Sequence, residues 1–160
     1  MAGLRIGALA VLAVLSLGAC ARAAPPAAAA AAAAFLAKNS AEPGTHVTAT
    51  GLQYRVLRSG PQTGPHPRES DEVKVNYEGK LLDGTVFDSS FQRGAPDVMA
   101  VGRLIPAWTE ALQLMRPGDE WRLYVPAGLG YGDKGAGPIP PGAVMVFRLE
   151  LIAIEPGAGG

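Results

Sequence analysis

The sequence predicts an α+β fold in which an antiparallel β-sheet wraps around one short α-helix. Segments with an apolar residue at every second position recur from Leu52 onward, which is typical of strands with one buried face. One stretch, which begins at Pro106, instead carries apolar residues at helical spacing. Strands come before and after this helix without regular alternation, and this order favours a helix laid across an antiparallel sheet.

The first half of this domain predicts short strands joined by turns. Residues 52–57 and 73–77 each alternate between apolar and polar side chains, as half-buried strands do. Asp83-Gly84 separates two further short runs, and an Asp-Gly pair favours the positive φ angles of a type I′ hairpin turn. Residues 98–101 predict one more short strand.

The helix is predicted from Pro106 to Arg116. Proline suits the first helical position because no intrahelical hydrogen bond is lost there. Trp108, Leu112 and Met115 recur at helical spacing and give the helix an apolar face. We expect this face to lie on the sheet.

The second half of the domain predicts two strands around a long loop. Residues 121–125 alternate, with Tyr124 on the polar side of the strand. Residues 128–141 are rich in glycine and proline and predict a flexible loop. Residues 144–154 close the domain as a long strand.

Composition excludes several classes of function. Fourteen basic residues balance 14 acidic ones, which gives no electrostatic support for binding nucleic acid. His46 and His66 have no partner at ligand spacing, so the sequence predicts no metal site, and it contains no recognisable cofactor motif. The acidic pairs at 71–72 and 119–120 predict solvated strand ends rather than a catalytic carboxylate pair.

The first 20 residues predict an export signal. Arg5 precedes an apolar stretch over residues 6–19, which is too short to span a bilayer comfortably. Residues 17–20 resemble a bacterial lipobox ending in Cys20, whereas residues 21–23 offer an ordinary cleavage site. We favour lipidation of Cys20 because the lone cysteine falls where a lipobox needs it, and we expect a periplasmic protein that meets the membrane only through this anchor.

Residues 21–51 predict an Ala/Pro-rich tether that leads to the domain at 52–156, and residues 157–160 predict a flexible tail. Eight consecutive alanines follow Pro26, and alanine has the highest helix propensity. A short isolated helix is nevertheless marginal in water, so we favour the tether over a helix here.

A set of short fragments, each weakly informative alone, becomes specific when they are taken in order. They are NYEG at 76–79, DGTVFDSS at 83–90, VG at 101–102, LIPAW at 104–108, YG at 131–132, IPPG at 139–142 and VFRLEL at 146–151. In this order and spacing the chain resembles the FKBP-type peptidyl-prolyl cis-trans isomerases from about Leu52 to Glu155. FLAKN at 35–39 also resembles the end of the helical extension in the macrophage infectivity potentiator type, but the rest of that dimerising extension is missing.

The resemblance implies an apolar substrate pocket with Trp108 as its floor. The implied substrate-binding residues are Phe87, Met99, Leu104, Ile105, Trp108, Ile139 and Phe147, and the implied catalytic residues are Asp88, Tyr131 and Tyr77. Asp88 would lie at the pocket edge beside Tyr77, and Tyr131 would close the rim. The family often has an aromatic wall residue after Pro96, whereas this chain has Asp97, so Met99 would fill that wall only in part.

The resemblance also implies the activity, which is rotation of the bond before proline without a cofactor or a metal. The implied partners are proline-containing unfolded or exported polypeptides, and macrolide inhibitors would fit the same pocket. Two other functional hypotheses remain open at this point. The domain could be a non-catalytic proline-binding or chaperone module of the cell envelope, or a structural envelope lipoprotein with a vestigial pocket.

Overall fold

The computed structural model describes residues 25–155, so the predicted export signal, Cys20 and the predicted tail lie outside the described residues. The helices are α1 (Pro26–Ser40), α2 (Ser90–Arg93) and α3 (Pro106–Leu114). The strands are β1 (His46–Val47), β2 (Gln53–Arg58), β3 (Glu72–Leu81), β4 (Val86–Ser89), β5 (Asp97–Ala100), β6 (Glu120–Val125) and β7 (Met145–Glu155). Two single turns of 3-10 helix, Val101–Arg103 and Ala127–Leu129, lie in the connections.

All strand pairs of the seven-stranded sheet are antiparallel, and the order is β1-β2-β6-β7-β3-β4. The long central pair β3–β7 runs in register from Glu72 opposite Glu155 to Leu81 opposite Met145, with one irregularity after Lys74. Strands β4 and β5 share the outer edge of β3, since β5 pairs with its first half and β4 with its second. The predicted α+β fold class is confirmed.

Helix α3 lies on one face of this sheet and closes the core. Its buried residues are Ala107, Trp108, Ala111 and Leu112, and they pack with the inward-facing side chains of β3, β6 and β7 in one cluster. Pro106 occupies the first turn as the sequence predicts. The helix ends at Leu114, before Pro117-Gly118, which cannot continue it.

The β3–β4 hairpin forms where it is predicted, but its turn is not of type I′. Gly84 has a φ of 89°, whereas no non-glycine residue among those described has a positive φ, so Asp83 does not adopt the left-handed conformation. The Gly84 N–H donates to the Leu81 carbonyl at 3.0 Å, and the Leu81 N–H donates to the Thr85 carbonyl at 2.9 Å. This pattern fits a type I turn followed by a left-handed glycine in a bulge. Asp83 instead accepts a hydrogen bond from the Thr85 N–H at 2.8 Å.

The prediction of a tether is wrong for residues 26–40, which form helix α1. The second half of α1 docks on the sheet, where the Phe35 ring lies 6.0 Å from that of Tyr124. The Asn39 side chain donates to Gln53 Oε1 at 2.8 Å, and Gln53 Nε2 donates to the Leu36 carbonyl at 2.9 Å. These tertiary contacts provide the stability that an isolated alanine helix lacks.

Docking of α1 changes which face of the sheet is exposed. Tyr124, predicted on the polar side of its strand, is buried because α1 covers it and the Arg55 guanidinium lies over its ring. His46–Val47 pairs with β2, so ordered structure of the domain begins before Leu52. Within residues 25–155, α1 and the other helices are too short or too polar to cross a membrane.

The acidic pair at 119–120 is buried rather than solvated. Asp119 accepts hydrogen bonds from the backbone N–H groups of Gly60, at 2.6 Å, and Arg116, at 2.8 Å. Glu120 forms an ion pair with Arg58 at 3.3 Å. Asp119 therefore fastens the loop before β3 and the segment after α3 to the start of β6, and Glu120 links β6 to β2.

The contacts of Asn39 predict that removing its side chain lowers the stability of the protein. Asn39→Ala would leave the Gln53 side chain partly unsatisfied in a buried position, so we expect a loss of about 1–3 kcal/mol in the free energy of unfolding. Urea denaturation of the two proteins measures it. Lys38→Ala, on the exposed side of the same helix, is the matched control and should change stability by less than about 0.5 kcal/mol. Equal stability of Asn39→Ala and the wild type would contradict the docking of α1.

Candidate active site

A cavity of about 570 Å³ opens between α3, the β3–β5 edge of the sheet and the loop over residues 127–142. Every residue predicted for the site lines it. The lining residues are Tyr77, Phe87, Asp88, Met99, Arg103, Leu104, Ile105, Trp108, Tyr131, Ala136, Gly137, Pro138, Ile139 and Phe147. Its size is that of a site for a small molecule or a few peptide residues.

The aromatic side chains of the cavity form one edge-to-face chain. Trp108 contacts Tyr77 at 5.0 Å between ring centroids and 82° between planes, and it contacts Phe147 at 5.3 Å and 83°. Phe147 in turn meets Phe87 at 5.6 Å and 87°. Perpendicular aromatic contacts are favourable beyond the area they bury, so these rings hold one another in place.

A glycine in β3 makes room for two of these rings. Gly79 faces the core two residues after Tyr77 on the same face of the strand. A Cβ atom at Gly79 would lie 2.6 Å from Phe87 and 2.7 Å from Phe147, which is closer than real side chains allow. Any other residue at 79 would therefore displace the wall of the cavity.

The glycine- and proline-rich loop contains backbone hydrogen bonds between its own residues, which its composition does not indicate. Ala136 and Ile139 exchange two backbone hydrogen bonds, and the Gly142 N–H donates to the Gly132 carbonyl at 2.9 Å. Ile139 is buried, whereas the Tyr131 side chain remains 41% exposed above the cavity. The loop thus holds one rim residue in the core and presents the other to solvent.

A charged network forms the edge of the cavity beside Tyr77. The Tyr77 hydroxyl donates to Asp88 Oδ2 at 2.6 Å, and Arg93 Nη1 donates to Asp88 Oδ1 at 2.5 Å. Arg93 Nη2 also contacts the Tyr77 oxygen at 3.0 Å and pairs with Asp97. Both Asp88 oxygens therefore have donors, which fixes the plane of this carboxylate.

Asp97 does not stand in the wall of the cavity. It is absent from the lining residues, since its carboxylate is directed to Arg93, and Met99 lines the cavity from the same strand. Met99 therefore lines the cavity on this side, where the sequence predicts that it fills the wall only in part, while Asp97 extends the charged network at the edge.

The turn into α2 positions Asp88. Ser89 caps α2, because its hydroxyl accepts the Gln92 N–H at 3.2 Å. Ser90 is fully buried and its hydroxyl accepts the Tyr77 N–H at 2.8 Å. The two serines that follow Asp88 are therefore bonded to β3 and to α2, which fixes the backbone directly after the carboxylate.

The protonation states of the two acidic groups follow from these contacts. Burial, together with the Asp88 carboxylate, raises the pKa of Tyr77 to about 12. Burial alone would raise the pKa of Asp88, but the hydrogen bonds from Tyr77 and Arg93 outweigh it and lower that pKa below its usual value. At neutral pH the edge therefore presents an ionised carboxylate and a protonated phenol.

The walls of the cavity suit non-covalent binding of an apolar group. Its walls are mainly apolar, and the groups around it that can form hydrogen bonds include Asp88, Tyr131 and Arg103. Within residues 25–155, no group of three or more His, Cys, Asp or Glu side chains could hold a metal ion. The arrangement can enclose an apolar ring and hold the polar atoms next to it.

Sequence reasoning missed five contributors to the site. Arg103, Ala136, Gly137 and Pro138 line the cavity, and Arg93 holds Asp88 from outside it. Arg103 directly precedes the predicted wall residues, and 136–138 directly precede Ile139, so adjacency in sequence could have indicated both. No local pattern indicates Arg93, because it ends α2 whereas its partners Asp88 and Asp97 lie on two strands.

Two protein-family models match the sequence of this chain. Residues 64–152 match the model of FKBP-type peptidyl-prolyl cis-trans isomerase, which is more than half of the 160 residues. The chain belongs to this family. Residues 17–56 match the model of the domain amino-terminal to FKBP-type isomerases, and they include α1.

Curated relatives and solved structures agree with this assignment. The chain is 46% identical over 126 residues to "Outer membrane protein MIP" of Legionella longbeachae, and the alignment covers 78% of this chain and 53% of that protein. It is 47% identical over 121 residues to the 22 kDa FKBP-type isomerase of Escherichia coli, covering 75% and 58%. The chain thus spans about half the length of the curated relatives it matches.

The structural neighbours share the fold at comparable identity. The crystal structure of FkpA from Escherichia coli has a TM-score of 0.77 and 38% identity, covering 81% of this chain and 60% of that one. The peptidyl-prolyl cis-trans isomerase of Pseudomonas syringae has a TM-score of 0.74 and 41% identity, covering 81% and 94%. The FKBP-type fold therefore extends over the described domain.

The Asp88 network predicts a pH-dependent contribution to stability. Because the pKa of Asp88 is lower in the folded state than the value of about 3.9 in the unfolded chain, its stabilisation is present above that value and is lost as the pH falls through the folded pKa. Denaturation at pH 7, 5, 4 and 3 measures the difference between the wild type and Asp88→Asn. We expect the difference to be constant from pH 7 to 5 and to shrink towards pH 3. A difference unchanged at pH 3 would contradict an ionised Asp88 in the network.

Proposed function

We propose that this protein is a peptidyl-prolyl cis-trans isomerase that accelerates rotation about the bond before proline in polypeptides. The observation that carries the proposal is the cavity floored by Trp108, enclosed by apolar side chains and edged by Asp88 and Tyr131. Membership of the FKBP-type family gives the same activity for the same fold. The proposal covers the domain itself and not the parts of longer relatives that this chain does not match.

Rotation of an X-Pro bond needs a twisted amide and no transfer of atoms. The barrier arises from amide resonance and is roughly 20 kcal/mol. A site accelerates rotation by stabilising the twisted amide more than either planar form. The cavity can do this because the proline ring packs on Trp108 and Phe147, which fixes one side of the bond while the other side turns.

The polar edge supplies contacts for the turning half of the substrate. Asp88 is fixed by Tyr77 and Arg93, so its carboxylate presents a stationary negative edge next to the cavity. The Tyr131 hydroxyl has no hydrogen-bond partner among the residues described, so it is free to donate to a substrate carbonyl. Asp88 acts as a positioned charge and Tyr131 as a positioned hydrogen-bond donor, and neither needs to gain or lose a proton.

We also propose the setting in which this activity operates. The export signal and the lipobox-like residues before Cys20 support a periplasmic lipoprotein held to the membrane by a lipid on Cys20. Its substrates would be proline-containing unfolded or exported polypeptides, and macrolides would compete for the same cavity. Mass spectrometry of the mature N-terminus tests the anchor, since a diacylated Cys20 and a cleaved, unmodified terminus differ in mass.

A set of matched variants tests the isomerase proposal. Trp108→Ala removes the cavity floor and should lower kcat/KM by on the order of ten-fold or more, whereas Tyr131→Phe removes one hydrogen bond and should lower it about two- to ten-fold. A protease-free exchange assay on an X-Pro tetrapeptide measures both. Trp121→Ala is the control, since Trp121 is a buried tryptophan of the same core that does not line the cavity.

Two outcomes would contradict the proposal. A wild-type protein that does not accelerate exchange would exclude the enzyme and favour a non-catalytic proline-binding module. Equal losses of activity in Trp108→Ala and Trp121→Ala, in parallel with equal losses of stability, would show that Trp108 acts through the core and not through the site.

A further inference from the structure

The rim of the cavity carries two charged side chains, Asp88 and Arg103, and the surroundings of the two differ. Each carboxylate oxygen of Asp88 accepts a hydrogen bond, one from Tyr77 and one from Arg93, and Arg93 also balances its charge. Arg103 forms no ion pair or side-chain hydrogen bond within residues 25–155. The rim therefore has one cation whose charge no neighbour in the described structure balances.

The backbone that carries Arg103 is held rigidly. It is the last residue of the 3-10 turn Val101–Arg103, and the Gly102 N–H donates to the Glu69 carbonyl at 3.0 Å. A Cβ at Gly102 would lie 2.9 Å from the same carbonyl oxygen, so the two backbones are in close contact. The Leu104 N–H closes the turn onto the Val101 carbonyl at 3.3 Å. Arg103 thus extends from a fixed point directly before the apolar wall.

We propose that Arg103 is a specificity-determining residue that favours substrates with an acidic side chain next to the X-Pro bond. The proposal rests on the proposed isomerase function, because it concerns the residues that flank the proline in the same cavity. A peptide chain that crosses the cavity with its proline on Trp108 has its neighbouring side chains at the rim, where Arg103 lies. A carboxylate there would meet an unbalanced guanidinium.

The expected preference is modest because Arg103 is exposed to solvent. Exposed ion pairs change binding equilibria by about 1.5- to 5-fold, and salt screens them. We therefore expect a glutamate beside the X-Pro bond to raise kcat/KM about two- to five-fold over a lysine in low salt. The preference should shrink at 0.5 M salt, where the Debye length falls to roughly 4 Å.

Asp88 and Asp97 do not give rise to an equivalent preference for basic substrate side chains. Arg93 lies between the two carboxylates and pairs with both, and Asp97 does not line the cavity. A basic substrate side chain would have to compete with Arg93 for carboxylate oxygens that already have donors. An acidic side chain meets no such competition at Arg103.

The test uses tetrapeptides that carry glutamate, glutamine or lysine either at X, immediately before the proline, or immediately after the proline. The wild type, Arg103→Gln and Arg103→Glu are compared in the protease-free exchange assay at low and high salt. Arg122→Gln is the matched control, because Arg122 is an exposed arginine on β6 that does not line the cavity.

We expect the wild type and Arg122→Gln to favour glutamate over lysine in at least one of the two positions. Arg103→Gln should abolish this preference, and Arg103→Glu should reverse it, each judged as the ratio of the glutamate rate to the lysine rate within one protein, while Arg122→Gln should accelerate the glutamine peptide as the wild type does. Equal rates on the glutamate and lysine peptides in the wild type, or a preference that survives in Arg103→Glu, would overturn the proposal. Failure to accelerate even the glutamine peptide would instead contradict the isomerase function, so the two failures are distinguishable.

Discussion

The edge-to-face contacts of Trp108 with Tyr77 and Phe147 hold the site together. Through them the helix is fixed to two central strands of the sheet, and the same indole forms the floor of the cavity. The indole Nε1 is buried without a hydrogen-bond partner among the described residues, so packing alone holds the ring there. Core and site therefore share one aromatic cluster, and Gly79 keeps the space beside it open for Phe87.

The polar edge is a network of hydrogen bonds and ion pairs that is joined to this aromatic cluster through Tyr77. Its ring belongs to the aromatic chain, whereas its hydroxyl belongs to the network of Asp88, Arg93 and Asp97. A substrate would thus meet a rigid apolar floor and a rigid charged edge that are joined by one side chain. Arg93 pairs with both carboxylates of this edge, whereas Arg103, which also lines the cavity, is the cation on which the proposed preference for acidic substrates rests.

Local sequence patterns predict the strands and the helix that each bury one of their own faces in the core. The two-residue period of β3 and the helical period that ends near Met115 arise directly from burial on one side, so both are visible in the sequence. The order of short fragments, rather than any period, identifies the residues of the cavity. Ile105 or Phe147, taken alone, is indistinguishable from an ordinary core residue.

Interactions between distant segments account for what the sequence does not predict. Helix α1 exists because Asn39 and Phe35 meet Gln53 and Tyr124, and no pattern within an alanine run indicates such partners. The turn at Asp83 differs from its prediction because Asp83 uses its side chain as an acceptor instead of adopting a positive φ. The glycine-rich loop likewise forms backbone pairs that its composition does not indicate.

The two tryptophans provide the most direct test of the central claim, that the cavity over Trp108 is the prolyl site. Each gives one indole N–H signal in a ¹⁵N-labelled sample, and Trp121 stacks on Tyr54 at 4.2 Å without lining the cavity. Titration with an X-Pro peptide should shift the Trp108 signal saturably and leave that of Trp121 in place, with Trp121→Phe assigning the two. A shift of the Trp121 signal alone, or of neither signal at peptide concentrations that support exchange, would contradict the account.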